Sequence, residues 1–412
     1  MSNPDEASLL NTALSYCSIG HIPFEEKITR RTFGYGIDAL NIIGSENAQK
    51  FETVIDKLLV GDIAKKITTK DLTQIVIGKI KEKLLKNEKF STADGRAFRQ
   101  ELKDIKTSTF RVYRDLFGAT INNPKAPITF GDFTFYSWSY HKGIIEKLLN
   151  STGDSEFLLD GPHNILVEHS VVAGNQEKAL ELADISFARL ESILRFMIGT
   201  RHANFEIGIN SYSGLKSRKH YVIGENGLSM GVKTVGRFEQ LPLDNDYFSN
   251  PADNFKRLIN ISPSSSNSLD RKILKGAEWI AQALTEPNPA SALIKAATTL
   301  EVLFSANERG IITPSIMAQI SESCAHILGD SIDSCLEVER KVKALYGIRS
   351  AVVHSGKEDV DAEDIDTMIH YARQVILNLL TYKEYEDLKN IEKLQDLLRR
   401  KKYSYVESLS SE

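Results

Sequence analysis

The residues best suited to chemistry lie in one short run, Arg349-Ser350-Ala351-Val352-Val353-His354. A guanidinium can grip two phosphate oxygens in a bidentate fork, and an imidazole can take or give a proton near neutral pH. On a helix of 100° per residue, Val338, Val342, Leu345, Ile348 and Val352 form one apolar stripe, and Arg349 falls inside it instead of on the solvated face. A charged group in that place needs a partner or a task. His354 stands about 140° further round an ideal helix, so the two side chains converge only where the helix ends or loosens. Ser355-Gly356 supplies such an ending, and the negative end of the helix dipole favours the imidazolium form there. The run also has a purely structural reading, in which the Arg satisfies a buried Glu and the His caps the last helical carbonyls.

Other chemistries find no anchor. No GxxxxGK[ST], HExxH, GxSxG or EF-hand loop occurs, so ATPase, zinc-protease, serine-hydrolase and calcium functions have no motif to rest on. Asp361, Glu363, Asp364 and Asp366 read as an acidic first helical turn, and no metal or cofactor is expected. His163, Glu168 and His169 sit on a strand whose successive side chains alternate in direction, and they read as surface residues.

The elements that must position the Arg349 run follow from periodicity. Residues 5 to about 117 read as helical, with apolar residues three and four apart as at Phe51, Val54, Ile55 and Leu58. From 118 to 261 the pattern becomes α+β, a candidate sensor or regulatory region. Phe133 and Phe135, the trio Phe205, Ile207 and Ile209, and Ile165 to Val172 read as strands, and Gln176 to Met197 as a helix stopped by Gly199. The Ser-rich stretch 262–268 reads as a linker. After it come helices from Leu269 to Leu284, from Pro289 towards Gly310, from Pro314 to Gly329, from a cap at Asp333 or Ser334 to His354, and from Asp361 on. These make a five-helix bundle over 269–382, followed by a basic helical tail over 383–412. The expected fold class is an α+β N-terminal region before an all-α C-terminal bundle.

The Arg349 to His354 run, at the end of a bundle helix, resembles the R-x4-6-H signature of HEPN domains, a superfamily of helical ribonucleases and nucleotide-binding modules. Ala296 to Phe304, Ala325 to Gly329 and Leu345 to Arg349 resemble successive helices of the ApeA-like subfamily of bacterial defence proteins. The resemblance covers residues 270 to 382, and position 350, often Asn or His in the family, is Ser here. It implies a metal-independent endoribonuclease active in anti-phage defence or abortive infection, in effect an RNA-cleaving toxin. Structured cellular RNA is the implied substrate, tRNA among the candidates, and a phage-derived trigger is implied. The 2′-OH of RNA attacks the adjacent phosphate when developing charge is stabilised and protons are moved. Arg349 would hold the phosphate, His354 would move protons and Ser350 would bond phosphate or position the pair. Tyr346 and Glu301 would support them, with Glu301 orienting Arg349; a plain surface carboxylate is the alternative for Glu301. HEPN domains dimerise so that two such motifs share a cleft, which implies a homodimer. The alternative within the family is a noncatalytic module that binds nucleotide, RNA or a partner protein.

Composition sets the bounds on partners. The chain has 412 residues, 42% apolar and 26% charged, with 51 Lys and Arg against 55 Asp and Glu, so disorder and indiscriminate polyanion binding are excluded. Residues 269 to 412 carry 18 Lys and Arg against 23 Asp and Glu, so RNA recognition needs help from a local patch. Candidates are Lys216, Arg218 and Lys219 in the middle region and Arg399, Arg400, Lys401 and Lys402 in the tail. Three dispersed cysteines, Cys17, Cys324 and Cys335, and no run of 18 apolar residues point to a reducing, cytoplasmic setting without a membrane.

Overall fold

In the computed structural model the described residues are 5–20, 30–34, 39–121, 125–150, 165–201, 207–209, 217–224, 227–234, 241–243, 253–263, 265–304 and 316–409. The chain divides into two units, Met1–Val112 with Ser170–Asp184, and Tyr113–His169 with Ile185–Glu412. No helix among the described residues is long and apolar enough to cross a membrane.

In the first unit the order is α1 (Glu6–Leu14), β1 (Cys17–Ile19), β2 (Arg30–Phe33), β3 (Leu40–Ile43), α2 (Ser45–Leu58), α3 (Asp62–Lys66), α4 (Thr69–Leu85) and α5 (Thr92–Lys103). Thr68 and Ser91 close capping boxes with Asp71 and Asp94, which fixes where α4 and α5 begin. Phe51, Ile55, Leu72, Val76 and Phe98 share the core. The all-helical reading of residues 5–117 needs correction: β1 and β2 both pair antiparallel with β3. These strands have three or four residues, too short for a period of two to declare itself, and β3 buries Leu40, Asn41 and Ile42 in succession. The buried Asn41 amide is satisfied by donating to the Gly20 and Ala39 carbonyls at 2.8 and 3.1 Å.

The chain continues through β4 (Ser108–Leu116), β5 (Ala119–Thr120), β6 (Ile128–Phe130), β7 (Phe133–Ser137), α6 (Trp138–Asn150), β8 (Ile165–Ala173), α7 (Gln176–Ile198), β9 (Ser217–Gly224), β10 (Gly227–Thr234), β11 (Leu241–Pro242) and α8 (Asp253–Asn260). Four strands form a sheet in the order β4-β8-β7-β6, with Phe133 opposite His169 and Phe135 opposite Val167. His169 is not a surface residue: it is 7% exposed, stacked on Phe133, with Nδ1 3.1 Å from the Asp132 carbonyl oxygen. Glu168 accepts from the Tyr136 hydroxyl at 2.8 Å, and His163 lies outside the described residues. The strand expected at Phe205 to Ile209 is reduced, among the described residues, to one bridge between Gly208 and Phe117; Phe205 lies outside them.

The C-terminal helices are α9 (Ser268–Thr285), α10 (Pro289–Phe304), α11 (Ile316–Leu328), α12 (Ile332–Ser355), α13 (Ala362–Thr381), α14 (Lys383–Glu386) and α15 (Ile391–Leu409). α9 packs on α10, α11 on α12, and α13 on α9, α10 and α11. Each presents an apolar stripe to the centre, including Ile280, Leu293, Leu300, Met368 and Val375, all fully buried. The architecture is thus an α/β N-terminal region and an all-helical C-terminal region.

The Ser-rich stretch 262–268 lies inside the second unit and does not separate units. Asn267 caps α9 by accepting from the Leu269 and Asp270 N–H groups, and its amide donates to the Leu388 carbonyl. Arginine side chains tie the preceding segment to the bundle through helix-end carbonyls. Arg257 donates to Leu380 and Glu386, Arg201 to Glu286, and Arg373 to Phe196 and Met197. Gly310 and Thr313-Pro314, expected to bound two helices, lie outside the described residues.

Candidate active site

α12 carries Tyr346, Arg349, Ser350 and His354. Its start is set by Ser331, which closes a capping box with Ser334, so the cap lies two or three residues before the expected Asp333 or Ser334. The preceding turn requires Gly329, because a Cβ there would stand 2.6 Å from the Cys335 sulfur and 2.8 Å from the Ala325 carbonyl oxygen. Of the expected stripe, Val338, Val342 and Leu345 are buried, and Ile348 and Val352 half-buried.

Tyr346 sets the register of α12 against α10. Its hydroxyl donates to the Ala297 carbonyl at 2.9 Å in the bundle interior. Burial, and next the Glu301 carboxylate, push the phenol pKa up, so it stays a donor. Three residues further along α12 is Arg349, four further along α10 is Glu301, and each step is one helical turn. The Arg349 Nη2 accordingly lies 2.9 Å from the Glu301 Oε1, both side chains about one quarter exposed. The Arg349 Nε is buried and has no hydrogen-bond partner among the described residues. One donor edge of the guanidinium is therefore held by Glu301 while a second donor is unmatched.

His354 and Ser350 are exposed and make no hydrogen bond or ion pair among the described residues. α12 remains helical to Ser355 and stops at Gly356, which is left-handed at φ 65°. The expected loosening of the helix end does not occur before His354. Arg349 and His354 stay about 140° apart around the axis and about 7.5 Å along it. The fold brings together Tyr346, Arg349 and Glu301, and leaves His354 and Ser350 outside that contact.

The basic run of the tail is engaged by the fold. Lys401 reaches Glu384 at 2.6 Å and the Tyr385 hydroxyl at 2.9 Å, Lys402 reaches Glu322 at 2.6 Å, and Arg400 lies 3.6 Å from Asp396. Glu322 pushes the Lys402 pKa up. Arg399 is exposed. Arg218 and Lys219 lie on β9, and Lys216 lies outside the described residues.

Sequence reasoning missed one concave feature. An open cleft of about 580 Å³ is lined by Lys341, Glu363, Asp366, Thr367, His370 and Tyr371, on α12 and α13. Lys341 precedes Arg349 by eight residues, about 12 Å of helix, so the cleft is separate from the Arg349 contact. The signal for it was present, since Glu363, Asp366 and His370 recur at three and four residues on one face of α13. No group of three or more His, Cys, Asp or Glu suited to a metal occurs among the described residues.

No family model, curated protein or solved structure matches the chain.

Proposed function

We propose that the α9–α13 bundle is a HEPN endoribonuclease module that cleaves cellular RNA, tRNA among the candidates, without metal. The observation that carries the reading is Arg349 itself: a cation in an apolar stripe, oriented by a carboxylate from a second helix, with one buried donor unmatched. Such a group suits a phosphate that brings acceptor oxygens to it. Arg349 stabilises charge on the phosphate, His354 takes the 2′-OH proton or protonates the leaving 5′-oxygen, and Ser350 bonds phosphate. Glu301 and Tyr346 act as positioning residues, one through the guanidinium and the other through helix register.

Within one chain Arg349 and His354 diverge around α12, so the proposed site is completed by a second copy related by a two-fold axis. An isologous dimer places His354 of each protomer towards the Arg349 of its partner. In this proposal residues 1–261 sense a phage-derived trigger or restrain the nuclease, in a bacterial defence system that acts in the cytoplasm by abortive infection.

The deciding experiment incubates the purified protein with total RNA in EDTA, with and without extract of infected cells, and sequences the new ends. Ends bearing 2′,3′-cyclic phosphate or 3′-phosphate are expected; RNA that stays intact under both conditions sinks the nuclease reading. A second reading, a noncatalytic HEPN module that binds RNA or a protein, draws on the same divergence of Arg349 and His354. It expects RNA binding without new ends.

A further inference from the structure

The cleft between α12 and α13 is not used by the chemistry proposed at Arg349. Its volume of about 580 Å³ lies in the range of small-molecule sites. Glu363, Asp366, Thr367 and His370 recur three and four residues apart on one face of α13, Tyr371 stands beside them, and Lys341 lines the cleft from α12. Among the described residues the side chains of Glu363, Asp366 and Thr367 make no hydrogen bond or ion pair. The Lys341 ammonium lies 3.8 Å from the Glu337 carboxylate, beyond hydrogen-bonding reach, so its donors are uncommitted. The His370 and Tyr371 rings stand 5.9 Å apart at 61°. Aromatic surface and unmatched polar groups of both signs therefore share one cavity.

A ligand for such a cleft needs a flat apolar body for the rings, donors for the carboxylates and an acceptor for the ammonium. A simple cation meets Lys341 as a like charge, and a simple anion meets Glu363 and Asp366. Among the RNA bases guanine has the matching edge. Its N1–H and N2 amine are adjacent donors that one carboxylate accepts together, and O6 beside them accepts from a lysine, which leaves the second carboxylate for a ribose hydroxyl. Adenine and cytosine place a bare ring nitrogen next to their one amine, and uracil flanks its N–H with two carbonyl oxygens. Each of these sets lone pairs against a carboxylate.

We infer that this cleft binds a guanine base, with Glu363 and Asp366 accepting from its N1–H and N2 edge, Lys341 donating to O6 and Tyr371 against its face. Lys341 lies about 12 Å of helix from Arg349, so an unpaired guanine in a strand whose phosphate sits at Arg349 can enter the cleft and select the sequence near the cut. The placement in RNA rests on the proposed nuclease function; the choice of guanine rests on the cleft alone.

The test uses the full chain with His354→Ala, so that bound RNA stays intact. A fluorescent oligouridylate with one central guanosine, inosine or adenosine is titrated by anisotropy, and guanosine and adenosine 5′-monophosphates are titrated by calorimetry. The guanosine strand is expected to bind at least about fivefold tighter than the other two. Glu363→Gln with Asp366→Asn, which keeps side-chain shape, is expected to erase that preference without weakening the plain oligouridylate, whereas damage to the fold weakens every strand alike. If that pair unfolds by circular dichroism, Lys341→Met, which removes the O6 contact, is expected to lower the preference at least about twofold. A preference that survives in the folded carboxylate variant, or one for adenosine, overturns the assignment. Equal binding of the three strands together with equal binding of the two monophosphates overturns it as well, and leaves RNA cleavage at Arg349 standing. Guanosine monophosphate preferred by a chain that shows no guanosine preference in RNA, with the same loss on substitution, makes the ligand a free guanine nucleotide. If RNA of no sequence is bound or cut, the nuclease reading fails, and the monophosphates decide the cleft by themselves.

Discussion

The Arg349 Nη2 lies 2.9 Å from the Glu301 Oε1, across two helices whose register is set one turn earlier by the Tyr346 hydroxyl on the Ala297 carbonyl. The pair is 48 positions apart in sequence and sits at the bundle's edge, about one quarter exposed. A salt bridge so placed contributes little to stability, on the order of 1 kcal/mol or less, so its larger effect is to fix where the guanidinium points.

Arg349→Ala and His354→Ala should each abolish RNA cleavage, and the double variant should be little worse than either, because in the proposed mechanism both groups act on one transition state. Full activity in purified His354→Ala removes the proton-transfer role.

Glu301→Gln keeps shape and removes charge. Urea unfolding should show a loss of about 1 kcal/mol or less, while cleavage falls more than binding does. An unchanged cleavage rate with unchanged RNA affinity means that Glu301 is a surface carboxylate with no positioning role.

Tyr346→Phe deletes a buried donor and leaves its packing in place, for an expected loss of about 1 kcal/mol in unfolding free energy. Cleavage should fall with it, since the α10 to α12 register that brings Arg349 to Glu301 is loosened. A variant equal to wild type in both measurements separates the hydrogen bond from the site.

The full chain should sediment as a dimer at micromolar concentration, and dimers mixing wild-type and His354→Ala protomers should keep only part of the activity. The expected stripe of α12 faces its own bundle, so the proposed dimer uses apolar residues of that helix left exposed, among them Leu336 at 58% and Val353 at 46%. Leu336→Glu with Val353→Glu should shift the mass to monomer and lower cleavage together. A monomer that cleaves RNA at the wild-type rate rules out the shared site.

Acid should weaken the first unit through Asp94. Hydrogen bonds from the Ser91 N–H and hydroxyl, with Lys83 next, hold its carboxyl at about 2 against an ordinary 3.8. A lowered folded-state pKa stabilises above the unfolded value, so the contribution is complete above 3.8 and lost as pH falls towards 2. The stability gap between wild type and Asp94→Asn should therefore close across that window in acid unfolding curves. A gap that stays constant from neutral pH to 2 contradicts the linkage.

The sequence by itself determined the bundle helices, because apolar residues at three and four apart, the start at Pro289 and the stop at Gly329 are local signals. It also singled out Arg349 as an anomaly, since a charge inside an apolar stripe is visible from one helix alone. It did not show β1 to β3, whose few residues carry no period and whose pairing joins Cys17 to Ile42 and Arg30 to Ile43. Only the tertiary structure decided that Arg349 meets Glu301 and that Lys401 and Lys402 meet Glu384 and Glu322. The physical reason is range. Periodicity and caps record interactions within about one helical turn, whereas a charge's partner depends on which faces of distant helices pack together, which no single segment encodes.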